Sequence, residues 1–424
     1  MAQGPSPQLG TDDQLIVLRN ARLADGRMVD LHVAGGLITS VQPAGRQPPT
    51  GAGIHELEGW LVMAAMAEPH AHLDKALTAE AVPNPAGDLL GAIEAWVAAA
   101  RAGTFTHETI VERAADALER LLIHGVTAVR THVNVTPEVG ARNVAAVREA
   151  ADRFTGMIDV QIVALTGNPI LGSEGAAARQ ALAEAIELGV DLVGGCPHLD
   201  PNGDGAGVIR LALDAGRDAG LGLDLHVDEL LDPSVLTLRD LARQVIDSGF
   251  EHPVTASHCV TLGMQPVEVQ IAVAAEVAEA GIAIVSLPQT NLFLQGRDHP
   301  TATPRGLTAI TALLSAGVRV AAGADNVQDP FNLVGRSDPL ETAALLVMAA
   351  HQQPDASYQM VSNAPRSVIG LPPVNFEVGD PADLVAIDAP SIRGAIADAP
   401  MSRRVFRRGR LVASCDHQSR VHRQ

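Results

Sequence analysis

The sequence predicts an α/β fold, a (β/α)8 TIM barrel joined to a small β-sandwich domain formed from both termini. Two observations carry that expectation. Eight apolar, β-branched runs recur through the middle of the chain, and short alternating segments with turn signals occupy its two ends. The length of 424 residues suits a barrel of about 250 or more residues with one satellite.

From Gln14 to Val41 the pieces LIVLRNARL, MVDLHVAG and LITSVQP are punctuated by Asp25-Gly26 and Gly35-Gly36, signals of short antiparallel strands. The same pattern returns in ADLVAIDAP and RRVFRRGRLVAS near the other end. Residues 1–59 and 376–424 are therefore expected to build the sandwich and a tail, and residues 60–375 the barrel. The eight central runs begin near Trp60, Val126, Asp159, Asp191, Gly222, Pro253, Ile282 and Val318. After the first interval they lie roughly 30 residues apart, one strand, loop and helix each. Runs such as VQIVAL and IAIVSL are apolar throughout, which means burial on both faces, as in a parallel sheet. Ala-rich segments between them carry helical periodicity. The longer first interval adds GDLLGAIEAWVAAAR, a helix expected over the barrel mouth.

Composition narrows the function. Apolar residues make up 47% of the chain and charged ones 19%, enough to bury a large core. Aromatics are 2%, and 30 basic residues against 49 acidic ones give a charge of −19, so stacking platforms and a basic footprint for nucleic acid are both missing. No run of about 20 apolar residues predicts a membrane span. Met1–Leu9 shows no basic segment followed by an apolar run, and Cys196, Cys259 and Cys415 form no CxxC. A cytoplasmic enzyme of small molecules, with no nucleic-acid or membrane partner, is the expectation.

Barrel enzymes carry their chemistry at the C-terminal ends of the strands. Five of the runs finish on histidine or acid: Glu68-Pro69-His70-Ala71-His72, Arg130-Thr131-His132, Asp224 through Glu229, Ala256-Ser257-His258 and Gly323-Ala324-Asp325-Asn326. His70 and His72, two apart on an extended strand, share a face and can grip one ion. His226 and the carboxylate of Asp325 complete an N3O set suited to zinc or iron(II), one divalent ion per subunit. Such an ion makes hydroxide available near neutral pH. Asp325 is then placed to take the water proton, Glu229 to carry a proton to the substrate nitrogen, and His258 to hold the attacking oxygen or polarise developing charge.

Other residues admit plainer readings. His132 is expected to hydrogen-bond to the site rather than to ligate. Lys75, in HLDK, is either ion-paired with Asp74 or Asp329 or a substrate contact. Cys259 reads as a buried structural cysteine, since its neighbour His258 points the other way. Trp96 packs a helix face or walls a pocket. Arg403, Arg404, Arg407, Arg408 and Arg410 alternate on a terminal hairpin and are expected on a solvated or subunit-facing surface.

With these residues in view, the chain resembles the cytosine deaminase branch of the metal-dependent amidohydrolase superfamily. The order H-x-H, H-x-D-E, S-H and D-N-x-x-D carries the resemblance, together with EPHAHLDKAL, AIEAW, RTHVNV, QIVAL, LHVDE, VTASH, LFLQGR and ADNVQDPF, from about Leu15 to Ser414. It implies His70, His72, His226 and Asp325 as ligands of a single metal, Glu229 as proton shuttle, His258 as catalytic imidazole, and a homo-oligomer. No lysine ends the third or fourth run, as the carbamylated bridge of a dinuclear relative would require. The H-x-E with P-C-x-x-C signature of the small zinc deaminases is absent.

The resemblance is incomplete in three places. Cytosine deaminases carry a glutamine after the third strand, where this chain has Leu165-Thr166-Gly167-Asn168-Pro169. They continue Asp-Asp where this chain has Asp325-Asn326, a pair that with HLDK is similar to the N-isopropylammelide isopropylaminohydrolases. Ala64-Ala65 stands in place of the usual Pro-Gly before the first metal strand. Lys75, Asn168, Gln295 and Asn326 are the expected substrate contacts. The expected activity is hydrolysis of a C–N bond, not a peptide bond, in a cyclic amidine or N-heterocycle. An N-alkylammelide-type aminohydrolase or a cyclic amide or imide hydrolase is the alternative, and an inactive barrel kept as a binding module is a remote one.

Overall fold

A computed structural model of the chain describes residues 14–422. The Met1–Leu9 segment read above for a secretory signal lies outside them. Two compact units result: one runs from Met66 to Leu371, and the two chain ends, up to Ala65 and from Pro372, make the other.

The unit from Met66 to Leu371 is a parallel barrel of β1 (Met66–Ala71), β2 (Val126–Val135), β3 (Asp159–Thr166), β4 (Leu192–Gly194), β5 (Gly222–Val227), β6 (Val254–His258), β7 (Ala283–Ser286) and β8 (Val320–Ala322). Each strand pairs in parallel with the next in sequence. Burial is complete along β7, as its apolar run IAIVSL requires, and extends to the polar side chains of β5 and β6. The ring closes between the first and last strands through a bridge of Ala71 with Asp325 and a bond from the Asp325 amide to the His70 carbonyl (3.1 Å).

Glu68 staples that seam. Its carboxyl accepts from the backbone N–H of His70 (3.2 Å) and of Ala324 (2.9 Å), and burial pushes its pKa up to about 8. Gly323 leaves it room: a Cβ there would stand 2.2 Å from the Glu68 carboxyl oxygen. Gly323→Ala is therefore expected to destabilise the barrel by about 1–3 kcal/mol through overpacking, read as a lowered thermal midpoint.

The chain ends form one mixed eight-stranded sheet. Its core gathers Leu18, Leu31, Val62, Leu384 and Phe406. The run expected to open the barrel near Trp60 is divided in the structure. Leu61–Ala64 pairs antiparallel with Leu384–Ile387, the Ala65 amide bonds to the Asp383 carbonyl, and the barrel strand starts only at Met66. The arginine hairpin is also less solvated than its alternation predicts. Arg403 is buried, Arg407 pairs with the buried Asp383 (2.6 Å), and Arg404 stacks over Trp60 (4.5 Å). Charge pairing and ring stacking let guanidinium groups leave water.

The segment after β1 sets up the site. Asp74 accepts from the Asn134 amide (3.1 Å) and the Asn143 side chain (3.2 Å), tying the HLDK turn to β2 and to the helix Arg142–Asp152. Helix α1 (Leu89–Arg101) follows, capped at its N-terminus by the Asp88 carboxylate on the Gly91 amide (2.7 Å).

Candidate active site

His70 and His72 from the end of β1, His226 from β5 and Asp325 just beyond β8 converge on one point. His226 Nε2 lies 3.1 Å from His70 Nε2 and 3.2 Å from His72 Nε2, and Asp325 Oδ1 lies 3.1 Å from His72 Nε2 and 3.6 Å from His70 Nε2. Asp325 reaches this position from a left-handed backbone (φ 67°), as His258 does (φ 70°).

The hydrogen-bond network fixes which nitrogens face inward. Ser257 Oγ gives its proton to Asp224 (3.1 Å), so it accepts from His70 Nδ1–H (2.9 Å) and leaves the His70 Nε2 lone pair at the centre. His72 Nδ1–H likewise donates to the His132 carbonyl (3.1 Å). These two lone pairs then point at the Nε2 of His226 with no proton on either to share. Asp325 adds a buried carboxylate without a hydrogen bond among the described residues, because the Thr290 hydroxyl beside it donates to Asn326 Oδ1 (3.3 Å). Converging lone pairs and an unpaired buried carboxylate are unfavourable unless a cation sits among them. Bonds of about 2.1 Å to a tetrahedral ion imply donor separations of about 3.4 Å, which the observed spacings bracket. The residues fit a divalent ion.

Behind His70, Asp224 accepts from Arg130 (2.9 Å) as well as Ser257. Burial alone raises the Asp224 carboxyl, but His132 and Arg130 hold it below its ordinary value. His132 stacks on His70 (3.9 Å between centroids), and its Nε2 faces Asp224 at 3.5 Å.

Glu229, three residues after His226, and His258 at the end of β6 lie next to this cluster. Glu229 Oε1 is 3.5 Å from His258 Nδ1, while His258 Nε2 is 3.9 Å from Asp325 Oδ2, so the imidazole stands between the two carboxyls. Burial, reinforced by Asp325, raises Glu229 well above the usual carboxyl range; burial pushes His258 down to about 4. The intervening Asp228 anchors the turn by accepting from Thr237 and Leu238 at the start of the next helix.

These groups open on a cavity of about 480 Å³. Lys75, Asn168 and Asn326 line it; Gln295 does not. Lys75 is buried with its ammonium over the rings of Phe331 (4.6 Å) and Trp96 (5.8 Å). Asn168 donates to the Cys196 carbonyl (2.9 Å), which leaves its Oδ1 as an acceptor. Asn326 is engaged at both ends, by Asp329 (2.8 Å) and Thr290. Gln295 instead donates to the backbone carbonyl of Glu229 (2.9 Å), which takes its amide out of the cavity.

A family model described as the Amidohydrolase family matches residues 54–413. The chain belongs to that family. The amidohydrolase is 33% identical over 388 residues to a pterin deaminase of Rhizobium rhizogenes, covering 90% of this chain and 87% of the relative. An N-isopropylammelide isopropyl amidohydrolase of Pseudomonas is 24% identical, with 94% and 96% covered. Among solved structures, 5-methylcytosine deaminase from Klebsiella pneumoniae with bound 5-fluorocytosine superposes with a TM-score of 0.86 at 26% identity, covering 96% of this chain and 99% of that one. N-isopropylammelide isopropylaminohydrolase from Burkholderia multivorans gives 0.81 at 27%, with 95% and 98% covered.

This amidohydrolase is a metal-dependent hydrolase with a His/Asp metal-binding cluster. Two neighbouring residues have roles that the sequence reading does not assign. Asn291 contacts His258 Nδ1 (3.1 Å), and Ser257 supports His70. Among the described residues no helix is long and apolar enough to cross a membrane.

Proposed function

We propose that the chain is a deaminase that hydrolyses the exocyclic C–N bond of an amidine-like nitrogen heterocycle, with His70, His72, His226 and Asp325 holding one zinc or iron(II) ion. The observation that carries this reading is the place of Glu229: a buried carboxyl that burial raises above its ordinary range, 3.5 Å from His258, facing the cavity. A divalent ion held there supplies Lewis acidity and lowers the pKa of a water molecule. As the water oxygen bonds to the ring carbon, Asp325 takes its proton. His258 holds the oxygen in place. Glu229 gives its proton to the adjacent ring nitrogen as the ring C=N bond opens, takes up the proton held by Asp325 and passes it to the amino nitrogen; the C–N bond breaks, ammonia leaves, and the remaining proton of the added oxygen returns to Glu229 as the ring carbonyl forms. Lys75 and the Asn168 acceptor orient the ring through its oxo and N–H edges.

The pterin deaminase relative makes an aminopterin-type bicycle the first probe, ahead of a single pyrimidine ring. The enzyme is further taken to work in the cytoplasm as a homo-oligomer, consistent with the free thiols of Cys196, Cys259 and Cys415. The deciding test is a panel of pterin, cytosine, 5-methylcytosine, an N-alkylammelide and a lactam, assayed for ammonia or amine on protein of measured metal content. Ammonia from an aminated ring is the expected result. A carboxylate product without ammonia or amine from any member overturns the deaminase reading.

A further inference from the structure

The cavity exceeds what a single ring needs. A void of about 150 Å³ accommodates a six-membered ring, whereas the space around Glu229 and Asp325 measures about 480 Å³. Much of the remainder is walled by α1. Leu89, Ile93 and Val97, four residues apart and hence on one helical face, line it with Leu90 beside them.

This helix is loaded against the usual rule. It buries Ala92, Trp96 and Ala100, while Ile93 and Val97 stay half-buried at the cavity and Leu90 is 66% exposed. Burying the larger aliphatics instead of the alanines offers more hydrophobic stabilisation, so their presentation to the cavity calls for an apolar occupant. Their position relative to the chemistry is also defined. Lys75 follows His72 by three residues and lies against Trp96, which sits on α1 between Ile93 and Val97. The polar end therefore gives way to the aliphatic wall at Trp96. The next charge along the helix, Arg101, is already paired with Glu138 (3.0 Å).

We infer that the substrate ring bears an apolar substituent, alkyl or aryl, on a position remote from the scissile C–N bond, and that this arm seats against Leu89, Ile93 and Val97 of α1. The inference rests on the deaminase reading above and names the substrate class within it.

The test takes the panel ring that releases ammonia fastest and the same ring carrying an n-propyl or phenyl group on the carbon farthest from the amino group. The measured quantity is the ratio of kcat/KM, armed over bare, which cancels any change in the amount of active protein. In the wild type the ratio is expected to be at least about tenfold, expressed mainly in KM. In the Ile93→Gln, Val97→Gln double variant, where glutamine keeps helix propensity, the ratio is expected to fall toward about two. A wild-type ratio near one overturns the inference and leaves the deaminase reading standing. A high ratio undiminished in the variant overturns the assignment to α1. Absence of ammonia or amine from every panel member removes the reading on which both depend.

Discussion

Replacing Glu229 by glutamine is expected to lower kcat by about two orders of magnitude or more while metal content stays near that of the wild type. Glutamine keeps the volume and the contacts of the glutamate but has no proton to give to a departing nitrogen. The four converging donors, His70, His72, His226 and Asp325, do not include Glu229, so the loss is expected in the chemical step and not in metal loading. Steady-state kinetics with metal analysis of the same sample separates the two. Turnover within a fewfold of wild type would remove Glu229 as the proton shuttle, and a fall that tracks metal loss would make it a support of the metal site instead.

The barrel was legible because parallel strands buried on both faces leave uninterrupted apolar runs. β2, β3 and β5 begin at Val126, Asp159 and Gly222, and β4, β6, β7 and β8 within two residues of the expected starts. The first run misled because residues 61–67, LVMAAMA, read as one unbroken apolar stretch, and only the pairing of Leu61–Ala64 with Leu384–Ile387 assigns its first half to the terminal sheet. Pairing between distant segments leaves no local signature.

The clustering of His70, His72, His226 and Asp325 was legible for a related reason. A histidine or acid at the end of an apolar strand has few structural uses, and the H-x-H spacing places two side chains on one face. Gln295 shows the limit. It lies just beyond the short helix Pro288–Leu294, and Asn291 lies within that helix. Both are amides in the mixed stretch PQTNLFLQ, and only the fold shows that Asn291 meets His258 while Gln295 turns to the Glu229 carbonyl. Arg130 and Asp224 carried a readable signal, since each precedes a site histidine by two residues and must share its face.

That shared face leads to a prediction about His70. Its Nδ1 proton is held by Ser257, whose own proton is held by Asp224, whose second oxygen is held by Arg130, and all four side chains are buried. The chain of bonds fixes both the tautomer and the ring orientation that aim His70 Nε2 at the point where His72, His226 and Asp325 converge. Ser257→Ala deletes one hydroxyl, leaving His70 Nδ1–H without its acceptor but keeping the Asp224–Arg130 pair intact. Metal affinity, measured by competition with a chelator of known affinity, is expected to fall about 10–100-fold, with activity recovering as metal is added. Asp224→Asn tests the same relay less cleanly, because it also leaves the Arg130 guanidinium buried without its counter-charge and so threatens the fold. Unchanged affinity in Ser257→Ala would mean that stacking on His132 alone holds the His70 ring, and the relay would then serve only to satisfy buried polar groups.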